Sequence, residues 1–334
     1  MESTIKKVYF ARTKDEIIWK ASSSGGIFWT LATNMILNKN GICYGAKYTK
    51  NFDVVHGRAE SLDEVKEFRG SKYVQSDMRG CYKNLLDDLK MGRNVLFSGT
   101  PCQIMAVKKY IPDVFQKQLL LVEILCHGAP SPRVFKDYIA FQETVYGSQV
   151  EEINFRGKKL KNSVQDMYIK FKSGKEYKSF GTQDIFYKFF FHELISRESC
   201  SKCKFSNTKR AADITISDYW GDIKHIPEIF EKKIGLSGVY VNTEKGEHYW
   251  NECMENLTVA QATVELCDQV VLHHPIAAAD YIDEFWNIYL TKGIKAAYEK
   301  YFGNYKKTCV MRKIKNILND TGILGIIHKL KGVI

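Results

Sequence analysis

The sequence contains no uninterrupted apolar run that approaches the ~18 residues of a membrane-spanning helix. Its first residues, Met-Glu-Ser-Thr-Ile-Lys-Lys, also lack the apolar stretch of a secretory signal. These two absences predict a cytoplasmic protein, in a compartment where disulfides are rare and clustered thiols usually serve metals or catalysis. The nine cysteines of the 334-residue chain are more than packing alone needs.

Signatures of nucleotide and nucleic-acid binding are missing as well. The chain has no Walker motif, no G-x-G-x-x-G after a strand, no internal repeat and no low-complexity tract. Its net charge of +11 comes from lysines spread along the whole chain, without an RNA- or DNA-binding pattern among them. We therefore expect a solvated basic surface and no nucleic-acid partner. A sharper alternative is a positive face that receives an acidic redox partner or an anionic cofactor.

Strand and helix patterns alternate through the first part of the chain. The spacing of apolar residues predicts strands over 4–10 and 41–48 and a helix over 26–38 between them. Two strand–loop–helix units follow, with strands over 94–97 and 119–125. This alternation predicts an α/β fold with a mostly parallel sheet layer in the N-terminal half.

The pattern changes after Gly147, where three short strand-like segments predict a β-meander, followed mainly by helices. The chain is thus expected to be mixed α+β overall, divided into domains 1–148 and 149–302 and a basic helical tail, 303–334. Between Lys306 and Lys331 the tail has seven Lys or Arg against one Asp, with apolar residues at helical spacing. It is interpreted as a docked or frayed terminal helix, or alternatively as a peripheral membrane or partner contact.

Four cysteines stand in settings that suit a soft metal. Cys102 and Cys126 each follow a short apolar run, while Cys200 and Cys203 form a C-x-x-C pair on a basic loop. Ligands bind beyond the carboxyl ends of strands in open α/β sheets, so the two isolated thiols are expected to be close. A helix beginning at Pro101 would place Cys102 in its first turn, where the helix dipole favours the thiolate.

Four thiolates fit either a tetrahedral zinc ion or a [4Fe–4S] cluster, and spacing alone does not separate the two. The two isolated ligands favour the cluster, since structural zinc more often uses two C-x-x-C pairs. A third interpretation makes Cys102 a nucleophile with His127 as its base, although nothing local supplies a third member. The remaining cysteines are expected to be packing thiols: Cys43, Cys81, Cys253, Cys267 and Cys309.

Two further segments resemble anion-binding or cofactor-binding loops. The hydroxyls and glycines of 22–26 open the helix at 26–38 and form a candidate anion cradle, although Ser-Gly before a helix is more often a cap. Segment 70–76 offers a cation, hydroxyls and an aromatic ring that suit a phosphate or a flavin edge, or else forms a surface turn. Asp218 and Trp220 follow a strand and could border a cofactor.

Together these segments resemble the coenzyme F420 hydrogenase/dehydrogenase beta-subunit family. The resemblance rests on motifs that occur in order between about residue 8 and residue 250. The matching stretches are 22–28 (SSSGGIF), 70–76 (GSKYVQS), 96–103 (LFSGTPCQ), 126–132 (CHGAPSP), 153–156 (INFR), 199–205 (SCSKCKF) and 210–221.

The resemblance implies a flavoprotein, usually with FAD, in which a [4Fe–4S] cluster lies beside the flavin. The implied cluster ligands are Cys102, Cys126, Cys200 and Cys203. The candidate cofactor contacts are Ser23, Ser24, Gly25, Gly26, Ser71, Lys72, Tyr73, Gln75, Ser76, Thr100 and Asp218. The candidate catalytic residues are His127, as a proton relay or hydrogen-bond donor beside a ligand, and Lys72.

One departure from the family concerns electron transfer. Many bacterial relatives begin with a ferredoxin module of two C-x2-C-x2-C-x3-C-P runs, whereas the first cysteine here is Cys43. We therefore expect a separate ferredoxin-type carrier, together with a small-molecule substrate or deazaflavin-type donor and a possible link to polysaccharide biosynthesis. The predicted function is a flavin-dependent iron–sulfur oxidoreductase. The rival prediction is a non-enzymatic, zinc-stabilised scaffold in a glycan-assembly complex.

Overall fold

A computed structural model describes residues 3–160, 165–230 and 235–323, which form an eight-stranded sheet, a three-stranded sheet and α-helices. The strands are β1 (Lys7–Thr13), β2 (Ile42–Tyr48), β3 (Val54–Ala59), β4 (Val95–Gly99), β5 (Leu119–Ile124), β6 (Val150–Asn154), β7 (Asp166–Phe171), β8 (Glu176–Phe180), β9 (Ile214–Asp218), β10 (Ser237–Val241) and β11 (Leu257–Ala262). The helices are α1 (Glu16–Ala21), α2 (Ile27–Leu37), α3 (Leu62–Val65), α4 (Cys81–Lys90), α5 (Pro101–Tyr110), α6 (Pro132–Tyr146), α7 (Ile185–Phe191), α8 (Glu244–Cys253), α9 (Ile282–Phe302) and α10 (Tyr305–Asp320).

The larger sheet has the strand order β11-β1-β10-β9-β5-β4-β2-β3. Three neighbouring pairs are parallel: β2–β4, β4–β5 and β5–β9. The other pairs are antiparallel. This arrangement confirms the predicted mixed α/β class, with its parallel part at the strands that precede the cysteine motifs. Every residue of β4 is buried, as a central strand covered on both faces requires.

Alternate side chains of the central strands pack into two separate hydrophobic cores, one on each face of the sheet. Leu96 and Leu120 pack with residues of α2 and α8 on one face of the sheet. Phe97 and Leu121 pack with residues of α4 and α5 on the other face. Because successive side chains of a strand point to opposite faces, the short apolar runs of β4 and β5 serve both cores at once.

The three-stranded sheet is the predicted β-meander. Strands β6, β7 and β8 pair in antiparallel fashion, and their bounds lie within two residues of the predicted ones. Helix α6 contacts β6, and α10 contacts β8. The aromatic run at the start of α7 is buried, as predicted from its composition; its buried residues are Ile185, Phe186, Tyr187, Phe189 and Phe190.

The chain forms two compact units, each made of separate segments. The first contains 1–70, 75–128 and 202–276, and therefore the eight-stranded sheet. The second contains 71–74, 129–201 and 277–334, and therefore the meander. The predicted domains were consecutive, whereas the units interleave, because β9, β10 and β11 return to pair with β5 and β1.

Three elements of the structure have no counterpart in the sequence-based prediction. They are α1, β3 and β11. Helix α1 has six residues and a capping Asp15, which is too short for a periodic apolar pattern. Strands β3 and β11 lie at the two edges of the sheet, where half of each strand is only partly buried, so their apolar signal is weak.

The structure describes part of the predicted basic helical tail, 303–334. Residues 305–320 form helix α10 in the second unit, and 324–334 lie outside the described residues. Across the described ranges, no helix combines the length and the apolar character that crossing a bilayer would demand.

Candidate functional site

Cys102 lies in the first turn of α5, directly after the carboxyl end of β4. Thr100 caps the helix in an extended conformation, and Pro101 is its first residue, so the predicted helix start is correct. The Cys102 thiol is exposed, and its Sγ lies 3.2 Å from Thr100 Oγ1. The strand thus ends by presenting a thiol with a hydroxyl beside it.

Cys126 follows β5, the parallel neighbour of β4, with Gly99 in register with Glu123. Its thiol is half-buried and accepts a hydrogen bond from the Gly128 N–H at 3.4 Å. Gly128 has a φ of 127°, a conformation that side-chain-bearing residues rarely adopt. The glycine therefore allows the turn that directs this amide back to sulfur. Cys102 and Cys126 thus follow the same edge of two adjacent strands.

The predicted C-x-x-C pair is divided between the two units. Cys200 belongs to the second unit and Cys203 to the first, and both thiols are half-buried. The backbone just before Cys200 is held within the second unit, because the Arg197 N–H donates to the carbonyl of Ala129 at 3.2 Å. No three His, Cys, Asp or Glu side chains among the described residues lie close enough to hold a metal ion. The four-thiol ligand set therefore remains a prediction.

A buried ion pair connects β5 to the loop that follows Cys203. Arg210 Nε donates to Glu123 Oε1 at 2.7 Å, and both side chains are 1% exposed. Arg210 Nη1 also donates to the carbonyls of Phe205 and Asn207, at 3.0 and 2.6 Å. Burial raises the pKa of Glu123, while the guanidinium acts in the opposite sense. This pair fixes the basic loop against the strand that leads to Cys126.

A chain of hydrogen bonds runs from the Cys102 turn into the sheet. Gln103 Oε1 accepts from the Thr100 amide at 3.0 Å, and Gln103 Nε2 donates to Ser76 Oγ at 2.8 Å. Ser76 Oγ lies 2.8 Å from His56 Nδ1, and His56 Nε2 lies 3.0 Å from the Ser98 carbonyl. Because a carbonyl oxygen only accepts hydrogen bonds, His56 must carry its proton on Nε2. Its Nδ1 then accepts from the Ser76 hydroxyl.

Burial lowers the pKa of His56 to about 4. The imidazole is therefore neutral near pH 7, in agreement with the direction of its hydrogen bonds. Its ring also stacks on Phe97 at 5.2 Å. His56 is thus a fixed end of the chain that orients Thr100.

His127 is held by its neighbours. Its Nε2 lies 2.7 Å from Gln269 Oε1, and Gln269 Nε2 donates to the Asp218 carbonyl at 2.7 Å. Its ring lies 4.9 Å from that of Trp220. Burial lowers the pKa of His127, so the imidazole is neutral near pH 7. Gln269, which sequence reasoning missed, assigns the Nε2 proton of His127.

The serine–glycine segment before α2 is tied to β10. Ser24 Oγ donates to the Leu236 carbonyl at 2.8 Å, and the Gly25 amide donates to Ser237 Oγ at 3.0 Å. A Cβ on Gly25 would lie 2.5 Å from a backbone oxygen, so only glycine fits. Two of the predicted anion-binding groups therefore already have partners. Ser23 is half-buried, and Gly26 caps α2 in the left-handed region with a φ of 80°.

The segment that contains Lys72 divides between the units after residue 74. Tyr73 packs in the aromatic core of the second unit, with its ring centroid 5.3 Å from those of Phe155 and Phe190. Its hydroxyl accepts from Arg156 Nη1 at 3.3 Å. The tyrosine ring is therefore part of a packed core. The other predicted cofactor contacts of this segment, Ser71, Lys72 and Gln75, are half-buried. Asp218, at the end of β9 in the first unit, is also half-buried.

Four of the predicted packing thiols are buried: Cys43, Cys81, Cys253 and Cys267. Burial raises the pKa of each to about 12. They remain protonated near pH 7, in which form they are poor metal ligands. Cys309 is half-buried.

Sequence reasoning missed His56, Gln103, Glu123 and Gln269. A lone Glu within the apolar strand 119–124 was the available signal, because a buried charge needs a partner. For Gln103 the signal was the T-x-x-Q capping-box pattern that it forms with Thr100. His56 and Gln269 carried no comparable signal.

Comparisons with known proteins agree with this fold. Comparison with curated proteins finds no match. A chain in a solved structure of the F420-reducing [NiFe] hydrogenase complex from Methanosarcina barkeri has a similar fold, with a TM-score of 0.55, 17% identity and 94% of both chains covered. The family profile for the C-terminal part of the coenzyme F420 hydrogenase/dehydrogenase beta subunit matches residues 92–265, just over half of the chain. The chain therefore belongs to the coenzyme F420 hydrogenase/dehydrogenase beta-subunit family.

Proposed function

We propose that this protein is an oxidoreductase that passes electrons through a [4Fe–4S] cluster held by Cys102, Cys126, Cys200 and Cys203. The observation that carries the proposal is the placement of Cys102 and Cys126 beyond the carboxyl ends of two adjacent parallel strands. Membership of a family of hydrogenase and dehydrogenase subunits supports oxidoreductase chemistry.

The environment of the two thiols fits a cluster. Thiolate ligands accept hydrogen bonds that lower their charge density, and such bonds tune the potential of an iron–sulfur centre. The Gly128 amide is directed at Cys126 Sγ, and the Thr100 hydroxyl is placed beside Cys102 Sγ. Arg210 holds the loop that follows Cys203.

The proposal includes FAD as the second cofactor. A flavin exchanges hydride with a two-electron substrate or a deazaflavin such as coenzyme F420, and a cluster then carries single electrons. The residues proposed to contact the flavin are Ser23, Ser24, Gly25, Gly26, Ser71, Lys72, Tyr73, Gln75, Ser76, Thr100 and Asp218. The hydrogen bonds of Ser24, Gly25 and Ser76 within the first unit hold their segments in place. Lys72 would contribute positive charge. Neutral His127, whose Nε2–H is directed at Gln269 Oε1, would act as a proton relay by accepting at Nδ1.

We propose that electrons leave through a separate ferredoxin-type protein, since the proposed cluster carries single electrons and needs a one-electron acceptor. The two-electron partner is proposed to be a small molecule. A sugar or a sugar precursor would link the protein to polysaccharide biosynthesis.

The test is an absorption spectrum of the full chain purified without oxygen, with iron, zinc, acid-labile sulfide and flavin analysis. We expect flavin bands over a broad brown shoulder, with about four iron and four sulfide per chain. A colourless protein with about one zinc per chain would overturn the proposal in favour of a zinc-stabilised scaffold.

A matched pair of variants tests the ligand assignment. The double variant Cys200→Ser, Cys203→Ser is expected to lose the iron chromophore while it keeps part of the flavin. Cys43→Ala removes a thiol that is buried and protonated, so its iron content should equal that of the wild type. A full iron complement in the double variant would refute the assignment.

A further inference from the structure

Helix α10 is packed with its polar side inward. Its buried residues are Tyr305, Arg312 and Asn319, which recur every seven positions and therefore share one face. A surface helix normally buries its apolar stripe and exposes its polar face. Here the face that contains Arg312 and Asn319 is buried, while the apolar side chains of Val310, Met311, Ile314 and Ile317 are exposed.

Specific contacts fix this orientation in the second unit. The Arg312 guanidinium lies 4.3 Å from the centroid of the Tyr177 ring, and Lys315 Nζ lies 4.1 Å from that of Phe180. Asn316 Nδ2 donates to the Lys178 carbonyl at 2.9 Å. These contacts all involve β8. Together with the ring contact between Tyr305 and Phe141, they hold the helix without its exposed apolar side chains.

The outward face of α10 is an apolar stripe flanked by cations. Val310, Ile314 and Ile317 recur at helical spacing and are 56%, 45% and 63% exposed. The exposed lysines on this helix are Lys306, Lys307 and Lys313. The acidic residue of α10 is Asp320, at its last position.

We propose that this outward face of α10, residues 306–317, binds the surface of an anionic lipid bilayer. Charge complementarity favours this partner, because each lysine near an anionic bilayer contributes attraction and its long aliphatic stem lets the ammonium stay at the headgroups. The apolar stripe would enter the boundary between headgroups and acyl chains. The sequence after the helix keeps the same character, since 324–334 includes Lys329 and Lys331 and no acidic residue.

Co-sedimentation of the full chain with lipid vesicles tests the proposal. The protein is expected to sediment with vesicles of phosphatidylcholine and phosphatidylglycerol, and to stay in solution with phosphatidylcholine alone. Added salt should weaken binding, because it screens the lysines. Equal sedimentation with both kinds of vesicle, or with neither, would overturn the proposal.

Two variants locate the surface. Ile314→Glu with Ile317→Glu places charge in the apolar stripe, and vesicle affinity should fall at least about tenfold. Lys306→Gln with Lys307→Gln and Lys313→Gln leaves the stripe intact and should lower the affinity by a similar factor. The second variant keeps the test valid if the first folds poorly.

A matched control and a second readout complete the design. Val114→Glu places a glutamate on a residue of the first unit that is 75% exposed, and vesicle binding should be unchanged. Light scattering without lipid reports whether a second copy covers the face instead. A dimer that the Ile314→Glu, Ile317→Glu variant dissociates, with no vesicle binding, would overturn the proposal.

Discussion

Buried polar side chains have different tasks in the two units. In the first unit, His56 and the Glu123–Arg210 pair fix the turns and the loop that follow the central strands, where cysteines lie. In the second unit, Asp184 accepts hydrogen bonds from Tyr138, on α6, and Tyr177, on β8, at 2.7 Å each. Buried polarity thus organises a candidate redox site in one unit and joins structural elements in the other.

The largest expected effect tests the first unit. Arg210→Met leaves Glu123 buried without its cation, so the free energy of unfolding should fall by about 3–5 kcal/mol. Urea unfolding of the purified variant measures this loss. Arg79→Met, which removes an exposed arginine paired with Asp77, is the control and should leave the urea midpoint unchanged. Equal effects of both substitutions would show that the buried pair has no special structural role.

A pH dependence tests the interior of the same unit. Burial lowers the pKa of His56 to about 4, whereas an unfolded chain has a pKa of ~6.5 at this side chain. Between these two values the unfolded chain binds a proton that the folded chain does not. The contribution of His56 is therefore complete above about pH 6.5 and is lost as the pH falls, by at most about 3 kcal/mol.

The measurement compares wild type with His56→Gln by urea unfolding between about pH 7 and pH 4. The stability advantage of the wild type should shrink as the pH falls, because the glutamine side chain of the variant does not titrate. A constant difference across the range would mean that His56 is protonated in the folded protein or exposed.

A smaller effect tests the second unit. Asp184→Asn keeps the shape of the side chain but removes the charge that strengthens its hydrogen bonds, and should cost about 2 kcal/mol. Hydrogen exchange should increase in α6, α7 and β8, and stay unchanged in β4 and β5. Asp320→Asn, an exposed carboxylate on α10, is the control. Faster exchange in β4 would contradict the separation of the two networks.

The smallest expected effect concerns the Cys102 turn. Thr100→Val keeps the branched shape but loses the hydroxyl that bonds Gln103 Oε1 at 3.1 Å, and should cost about 1 kcal/mol. Thr100→Ser keeps the hydroxyl and should lose less than half of that free energy. If both variants have the same urea midpoint as the wild type, the Thr100 hydroxyl contributes nothing to stability and the prediction is wrong.

Much of the fold follows from local patterns in the sequence. Apolar runs predicted β4 and β5 within one or two residues, and Pro101 and Gly147 marked a helix start and a helix end. The β-meander was predicted from its short strand-like segments and from the Ser-Gly-Lys turn at 173–175. These elements are determined locally, because backbone preferences and burial patterns act over a few residues.

Tertiary structure decided what those patterns could not. The interleaving of the units depends on β9–β11 returning to the first sheet, a pairing between residues more than 200 positions apart in the case of β1 and β10. The partners of His56 and Glu123 likewise come from distant segments. In α10 the sequence determined an amphipathic helix, whereas the contacts with β8 decided which of its faces is buried. Each segment's periodicity is a property of its own residues, but the choice between two faces depends on the surface that the rest of the chain presents.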